Sequence, residues 1–333
     1  MTPDFSRRVK KLQKEMSTDK ILITNSKNIY YYTGHKASEE DPCFLIINSS
    51  GRPHLFVSPL VNDAKMLKTA RVSFISRGFL KNELRKKSVS FEEDHLITHI
   101  YTNLKKHGIK FKPADKIINK PRHIKDAYEL DQLKNSINLV KKTLDGLGNI
   151  TGKTEKEISN KVRMSFVKAN TTNSFDTIVS TGSNGEFIHH TPSNKMIKKG
   201  DLTVVDMGAK MNMYCSDITR TFHSGVNTQK RKIYEDVLEI QRKIIDVIEP
   251  GMTFESVQGM YINMMTSRGY KVMHGISHGI GLDVHEPFDV LEENMVITVE
   301  PGVYKNIGGC RIEDMVLIKK DKVKILSDSI RLS

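Results

Sequence analysis

Between His274 and Glu313 the chain reads HGISHGIGLDVHE, then ITVEPGVY, then RIEDMV. These runs place His274, His278, His285, Glu300, Arg311 and Glu313 among glycines and β-branched residues. Upstream, Asp206 and Asp217 sit in equally apolar settings, TVVDMG and YCSDIT. Four carboxylates and an imidazole buried together repel one another and carry a large desolvation cost unless cations neutralise them. A fold that buries these segments is therefore expected to build a metal site.

At 333 residues the chain is long for a single core and predicts one large or two medium domains. Its 38% hydrophobic and 27% charged residues are those of a water-soluble globular protein. The longest apolar runs, such as CFLII at 43–47, fall well short of the roughly 20 residues a membrane span needs. The opening MTPDFSRRVKKLQKEM lacks the apolar stretch of a secretory signal, and Cys43, Cys215 and Cys310 show no metal or disulfide spacing. A cytoplasmic protein with reduced thiols is expected, with no membrane partner. The net charge of +13 is spread over scattered basic residues without interleaved aromatics, which reads as a solvated basic surface and argues against nucleic acid as a partner.

The first part of the chain reads as an α/β unit. Val9, Leu12 and Met16 share a helical face, KILITN at 20–25 reads as a strand, and CFLIINSSGRPHLFVS as a hairpin. A helix is expected over 60–67, a strand over 71–76, and a helix over 95–107 with Leu96, Ile97, Ile100 and Leu104 inward. DKIINK reads as a last strand and residues 121–126 as a linker, giving domains 1–121 and 122–333. The first domain contains no catalytic cluster, so a structural or substrate-capping role is its default.

The second domain opens with Leu130, Leu133, Ile137, Val140, Leu144 and Leu147 on one helical stripe. Thr154 and Glu157 form a capping box for the next helix, SFDTIVSTG reads as a strand and 189–201 as an irregular loop. Further helices are expected over about 229–248, with Val247 on the inner face, and from Thr253 to Gly269, followed by strands. Asp206 and Asp217 are eleven apart and cannot share a face of one straight strand, so two strands of a hairpin are expected to bring them together. Gly208 would leave room for metal. The plainer readings are turn aspartates, core histidines, and an ion pair of Glu313 with Arg311.

DMGA, CSDITRTF, SHGIGLDVHE, TVEPGVY and RIED resemble, in order and nearly in spacing, the pita-bread metallopeptidases, the family of methionine aminopeptidase, aminopeptidase P, prolidase and creatinase. The resemblance covers roughly 128–333, and residues 1–121 are similar to the smaller creatinase-type N-terminal domain. It implies an α+β fold, with a C-terminal pita-bread domain and a smaller α/β N-terminal domain. It also implies two divalent metal ions, Mn²⁺ first, with Co²⁺, Fe²⁺ or Zn²⁺ as alternatives. Asp206, Asp217, His278, Glu300 and Glu313 would be the ligands. Two such ions would acidify a bridging water to the attacking hydroxide, with Glu300 as proton acceptor. His189, His274 and His285 would bind the substrate carbonyl and tetrahedral intermediate, with His190 as second choice, and Arg311 would support Glu313. The implied partner is a peptide with proline at its second position, and the implied assembly a homodimer.

Within the family GLDVHE is similar to the proline-directed branch, so aminopeptidase P is expected, with prolidase as the alternative. Prolidases typically carry an arginine soon after the HE pair to hold the dipeptide carboxylate. Here residues 285–300 contain neither arginine nor lysine, which favours longer peptides. A metal-free relative like creatinase is disfavoured by the full ligand set. An inactive nucleic-acid or protein-binding relative has only the net charge in its support.

Overall fold

The computed structural model describes residues 2–38 and 40–330. It divides into two compact units, Thr2–Arg122 and a second that begins at His123.

The first unit is a mixed six-stranded sheet flanked by helices. Its strands are β1 (Lys20–Ile23), β2 (Cys43–Asn48), β3 (His54–Val57), β4 (Arg71–Phe74), β5 (Ser88–Phe91) and β6 (Lys110–Pro113), in the order β4-β3-β2-β1-β5-β6. The β1–β2 and β2–β3 pairs are antiparallel, and the outer pairings are parallel. The helices are α1 (Phe5–Lys14), α2 (Ser26–Thr33), α3 (Phe79–Leu84), α4 (Thr98–Lys106) and α5 (Asp115–His123). Residues 60–67 hold only a short 3-10 turn, Asn62–Met66, and Ile97 is 66% exposed instead of inward.

The strand and linker expected over 116–126 are instead α5 and its exit. The short Ile117-Ile118 pair mimics a strand, but Ile118 and Arg122, four apart, bury one helical face. Pro121 removes an N–H donor from this helix. The Tyr32 and Tyr31 hydroxyls, brought in by α2, donate to the carbonyls of Ile118 and Pro121 at 2.6 and 2.7 Å.

In the second unit α6 (Ala127–Leu147) is fixed by a capping box between Asp126 and Glu129, and α7 (Glu155–Lys168) by the one between Thr154 and Glu157. Then come β7 (Thr172–Asn173), β8 (Ile178–Thr181), β9 (Thr203–Met207), β10 (Ala209–Met211), β11 (Tyr214–Cys215) and β12 (Ile218–Phe222). The helices α8 (Thr228–Val247) and α9 (Phe254–Thr266) precede β13 (Val296–Val299), β14 (Gly302–Lys305), β15 (Gly308–Arg311), β16 (Asp314–Ile318) and β17 (Val323–Ile325).

Small antiparallel sheets, β13-β16-β17 and β14-β15, pack against α8 and α9 through a core of aliphatic residues that includes Ile240, Ile244, Val299 and Val316, and a third, β12-β9-β8, contacts α7 through β8. Val247, expected inside, is 48% exposed because α8 ends there. No helix among the described residues is long and apolar enough to cross a membrane.

Candidate metal centre

The β9–β12 pairing sets the first two acids. Asp206 on β9 lies opposite Thr219 on β12, and Asp217 stands immediately before β12. Gly208 has a different task from the one expected of it. A Cβ there would come within 1.9 Å of the Ser216 carbonyl oxygen, so the glycine lets the returning chain pass and does not face the acids.

The histidine loop is clamped to the next sheet. Thr298 N–H donates to the His278 carbonyl (2.9 Å) and Glu300 N–H to that of Ile276 (2.9 Å), which places His278 beside Glu300 just beyond β13. Glu313 N–H donates to the Thr219 carbonyl (3.1 Å), so the 311–313 segment runs along β12. A Cβ on Gly279 would meet the Glu286 carbonyl at 2.6 Å, so the loop closes only with glycine there.

Asp217, His278 and Glu313 each offer a ligand atom, all within 4.8 Å of one another. The remaining two acids border this group. Glu300 Oε1 lies 3.3 Å from His278 Nε2, and Asp206 Oδ2 accepts from Arg311 Nη2 at 2.6 Å. All five, with His189, His274, His285 and Arg311, line one cavity of about 930 Å³.

His278 Nδ1 faces the Gly279 carbonyl at 3.0 Å, which puts a proton on Nδ1 and turns Nε2 toward the acids; burial lowers the pKa of the ring, but Glu300 and Glu313 raise it by more, and Nε2 would give up its proton to bind metal. Asp206 Oδ1, Asp217 Oδ1 and Glu313 Oε1 are buried with no hydrogen-bond partner among the described residues. Buried acceptors are rarely left so. Three bare carboxyl oxygens around one imidazole nitrogen fit divalent cations, by donor chemistry as well as by need.

The electrostatics agree. Burial, then the neighbouring Glu313, Asp206 and Glu300, push the Asp217 carboxyl well above its usual range. Burial, Glu300 and Asp206 push Glu313 up to about 8. Burial also works against ionised Glu300, but its contact with His278 outweighs that and holds its carboxyl below the ordinary value. Two buried acids that resist ionising are what divalent charge would reverse.

Arg311 makes no ion pair with Glu313. Its Nη2 binds Asp206, and its Nε donates to Thr219 Oγ1 (3.2 Å), whose hydroxyl donates to Glu313 Oε2 (2.9 Å). Thr219 thus carries the support one bond further, and its position within ITRTF gave no sign of it. Asp314, on the other face, pairs with buried Arg220 at 2.7 Å.

Tyr304 was likewise unmarked. Its hydroxyl accepts from Arg311 Nη1 (2.8 Å) and lies 2.7 Å from His274 Nε2. His274 Nδ1 faces the Gly275 carbonyl at 2.8 Å, so Nδ1 carries the proton and Nε2 accepts from Tyr304. Burial, the larger effect, lowers the pKa of His274, as does Arg311 nearby, and both ring nitrogens are engaged. His189 and His285 line the cavity without such ties. His190, also at the cavity, is bound to buried Glu155 at 2.8 Å.

The sequence matches Metallopeptidase family M24 over residues 131–320 and the Creatinase/Prolidase N-terminal domain over 8–124. It is 34% identical over 340 residues to a protein of Pyrococcus furiosus named Xaa-Pro dipeptidase, covering 96% of this chain and 97% of that one. The crystal structure of the prolidase from Pyrococcus horikoshii is similar with a TM-score of 0.89 and 33% identity, over 98% of this chain and 99% of that one. X-Pro aminopeptidase from Thermotoga maritima is similar with a TM-score of 0.85 and 27% identity, over 95% and 97%. The architecture is therefore the pita-bread fold with a creatinase-type N-terminal domain. Joined to acids and an imidazole poised for divalent metal, it makes this chain a hydrolase that belongs to metallopeptidase family M24.

Proposed function

We propose that this protein hydrolyses the Xaa-Pro bond of short peptides at two divalent ions held by Asp206, Asp217, His278, Glu300 and Glu313. The observation that carries this reading is the set of bare carboxylate oxygens on Asp206, Asp217 and Glu313 around Nε2 of His278, which the Nδ1 contact with Gly279 turns toward them. Oxygen-rich coordination with one imidazole suits Mn²⁺ first, then Co²⁺, Fe²⁺ or Zn²⁺. Bound ions would supply acidified water and polarise the scissile carbonyl.

The chain's own groups do the rest. Glu300 takes the proton of the attacking water and passes it to the proline nitrogen as the bond breaks. His189 and His285 hydrogen-bond the carbonyl oxygen as it gains charge. His274, with both nitrogens engaged, acts through Tyr304 and Arg311 to hold Asp206. An Xaa-Pro bond offers no N–H, so recognition rests on apolar lining such as Phe175, Ile178 and Val284 receiving the pyrrolidine ring.

Two peptide lengths have support. Relatives 34% and 35% identical over nearly the whole chain are named Xaa-Pro dipeptidases, which favours dipeptides. The absence of lysine and arginine from 285–300, with a cavity near the upper end of small-ligand sites, favours longer Xaa-Pro-Yaa substrates and an aminopeptidase. Turnover of an Xaa-Pro dipeptide against an Xaa-Pro-Yaa tripeptide, before and after chelation and with metal analysis, tests both. Metal-independent turnover, or none with Mn²⁺ added, would defeat the reading.

We place the boundary between an N-terminal support domain and the catalytic domain near residue 122, and expect a homodimer. Light scattering at working concentration checks the assembly.

A further inference from the structure

One wall of the cavity carries the opposite charge from the acids. Lys156, Ser159, Asn160 and Arg163 of α7 line it, at offsets of three, four and seven, which is one helical face. Arg311, another permanent cation of the lining, is committed to Asp206 and Tyr304. Among the described residues neither Lys156 nor Arg163 is in an ion pair. The segment after His285 offers the reverse sign, with Glu286, Asp289, Glu292 and Glu293 and no base before Glu300.

This wall is fixed in place. Glu155, next to Lys156, is fully buried and accepts from Thr181 N–H (2.8 Å), Ser193 N–H (2.9 Å) and Ser193 Oγ (2.6 Å), and binds His190. The start of α7 is therefore tied to the loop that carries His189. The cavity is thus bipolar, with carboxylates in one part and uncommitted cations in another, on a frame locked to its histidine loop. With the acids taken up by the metal they would hold, the charge left for the uncommitted cations to match is the C-terminal carboxylate of a short peptide.

We propose that Lys156 and Arg163 bind the C-terminal carboxylate of the peptide substrate and so select short peptides with a free C-terminus. The inference rests on the Xaa-Pro reading above. Arginine offers a bidentate fork and lysine a point charge, and they stand seven residues, roughly 10 Å, apart along the helix. Single variants separate their shares. Both residues are solvent-exposed, so glutamine at either leaves the core intact.

The test uses the Mn²⁺-loaded protein with Ala-Pro and its C-terminal amide, Ala-Pro-NH2. The wild type should show a lower KM for the acid than for the amide. Lys156→Gln with Arg163→Gln should raise KM for the acid about tenfold, leaving kcat and the amide's KM within about twofold. Equal KM for acid and amide in the wild type, or equal shifts for both in the variant, would overturn the inference while leaving the Xaa-Pro activity standing. Should the wild type turn over only the longer pair, Ala-Pro-Ala and its amide, the same comparison is read on that pair; a wild type inert toward all four would defeat the Xaa-Pro reading and this inference with it.

Discussion

Glu92 in the first unit and Glu313 in the second are both about 1% exposed, and their surroundings treat them in opposite ways. Glu92 has both oxygens occupied. Oε2 accepts from Thr24 N–H (2.6 Å) and Asn25 N–H (2.7 Å), and Oε1 from Asn28 Nδ2 (2.7 Å). Glu313 receives Thr219 Oγ1 on Oε2 and leaves Oε1 bare. A buried acid whose neighbours saturate it is a joint in the scaffold. One left short, beside Asp206 and Asp217 in the same condition, marks where charge from outside the chain belongs.

Removing a member of each group should separate the two roles. Asp217→Ala is expected to abolish metal retention and cut turnover by roughly a thousandfold or more, leaving the circular dichroism of the helices unchanged. Retained metal content or near-normal turnover would break the distinction.

A second test sharpens it through pH. A buried acid whose folded pKa exceeds its unfolded value supports the fold fully below the unfolded pKa. As pH rises the unfolded chain ionises first, so that support is lost on the way up through the folded pKa. For Glu313 this window runs from the ordinary 4.5 to about 8. Metal-free protein should therefore lose on the order of a few kcal/mol across it, and the melting shift on adding Mn²⁺ should grow from pH 5 to pH 8. Burial also raises the Glu92 carboxyl, but added metal should leave that share untouched. A metal-induced shift independent of pH would count against the assignment.

Glu92→Ala strands three donors without touching the cavity. A loss of about 2–3 kcal/mol in thermal or denaturant unfolding is expected, with kcat of the folded enzyme unchanged. A fall in kcat at full folding would show that the first unit does more than support.

The smallest effect is expected from Tyr304→Phe, which frees His274 Nε2 and one Arg311 contact. Turnover should drop about tenfold with metal content retained. Unchanged kinetics would mean that Arg311 holds Asp206 without the tyrosine.

How much of this was legible in the chain differs between the same two regions. Asp206, Asp217, His278, Glu300 and Glu313 stood out because acids and imidazoles between Val, Ile and Gly are costly to bury, and that cost is written into neighbouring residues. The capping box at Thr154 and the stripe of α6 were equally visible, being contacts within a few residues, whereas the box at Asp126 lay inside the stretch read as a linker. In the first unit β5 and β6 were missed and α5 was misread. SVSF and KFKP carry little alternation, and what holds α5 is a pair of tyrosine hydroxyls some 90 residues away.

The order and type of the candidate ligands, the helices with strong periodicity and the kinship to metallopeptidases were legible in the sequence, since each depends on local pattern and chemistry. Arg311 reaching Asp206 instead of Glu313, Thr219 relaying to Glu313, Tyr304 fixing His274, and a cationic face of α7 sharing a cavity with the acids were decided only by the tertiary structure. Such pairings join strands and loops distant along the chain, and their partners follow from register and loop closure, which no single segment encodes.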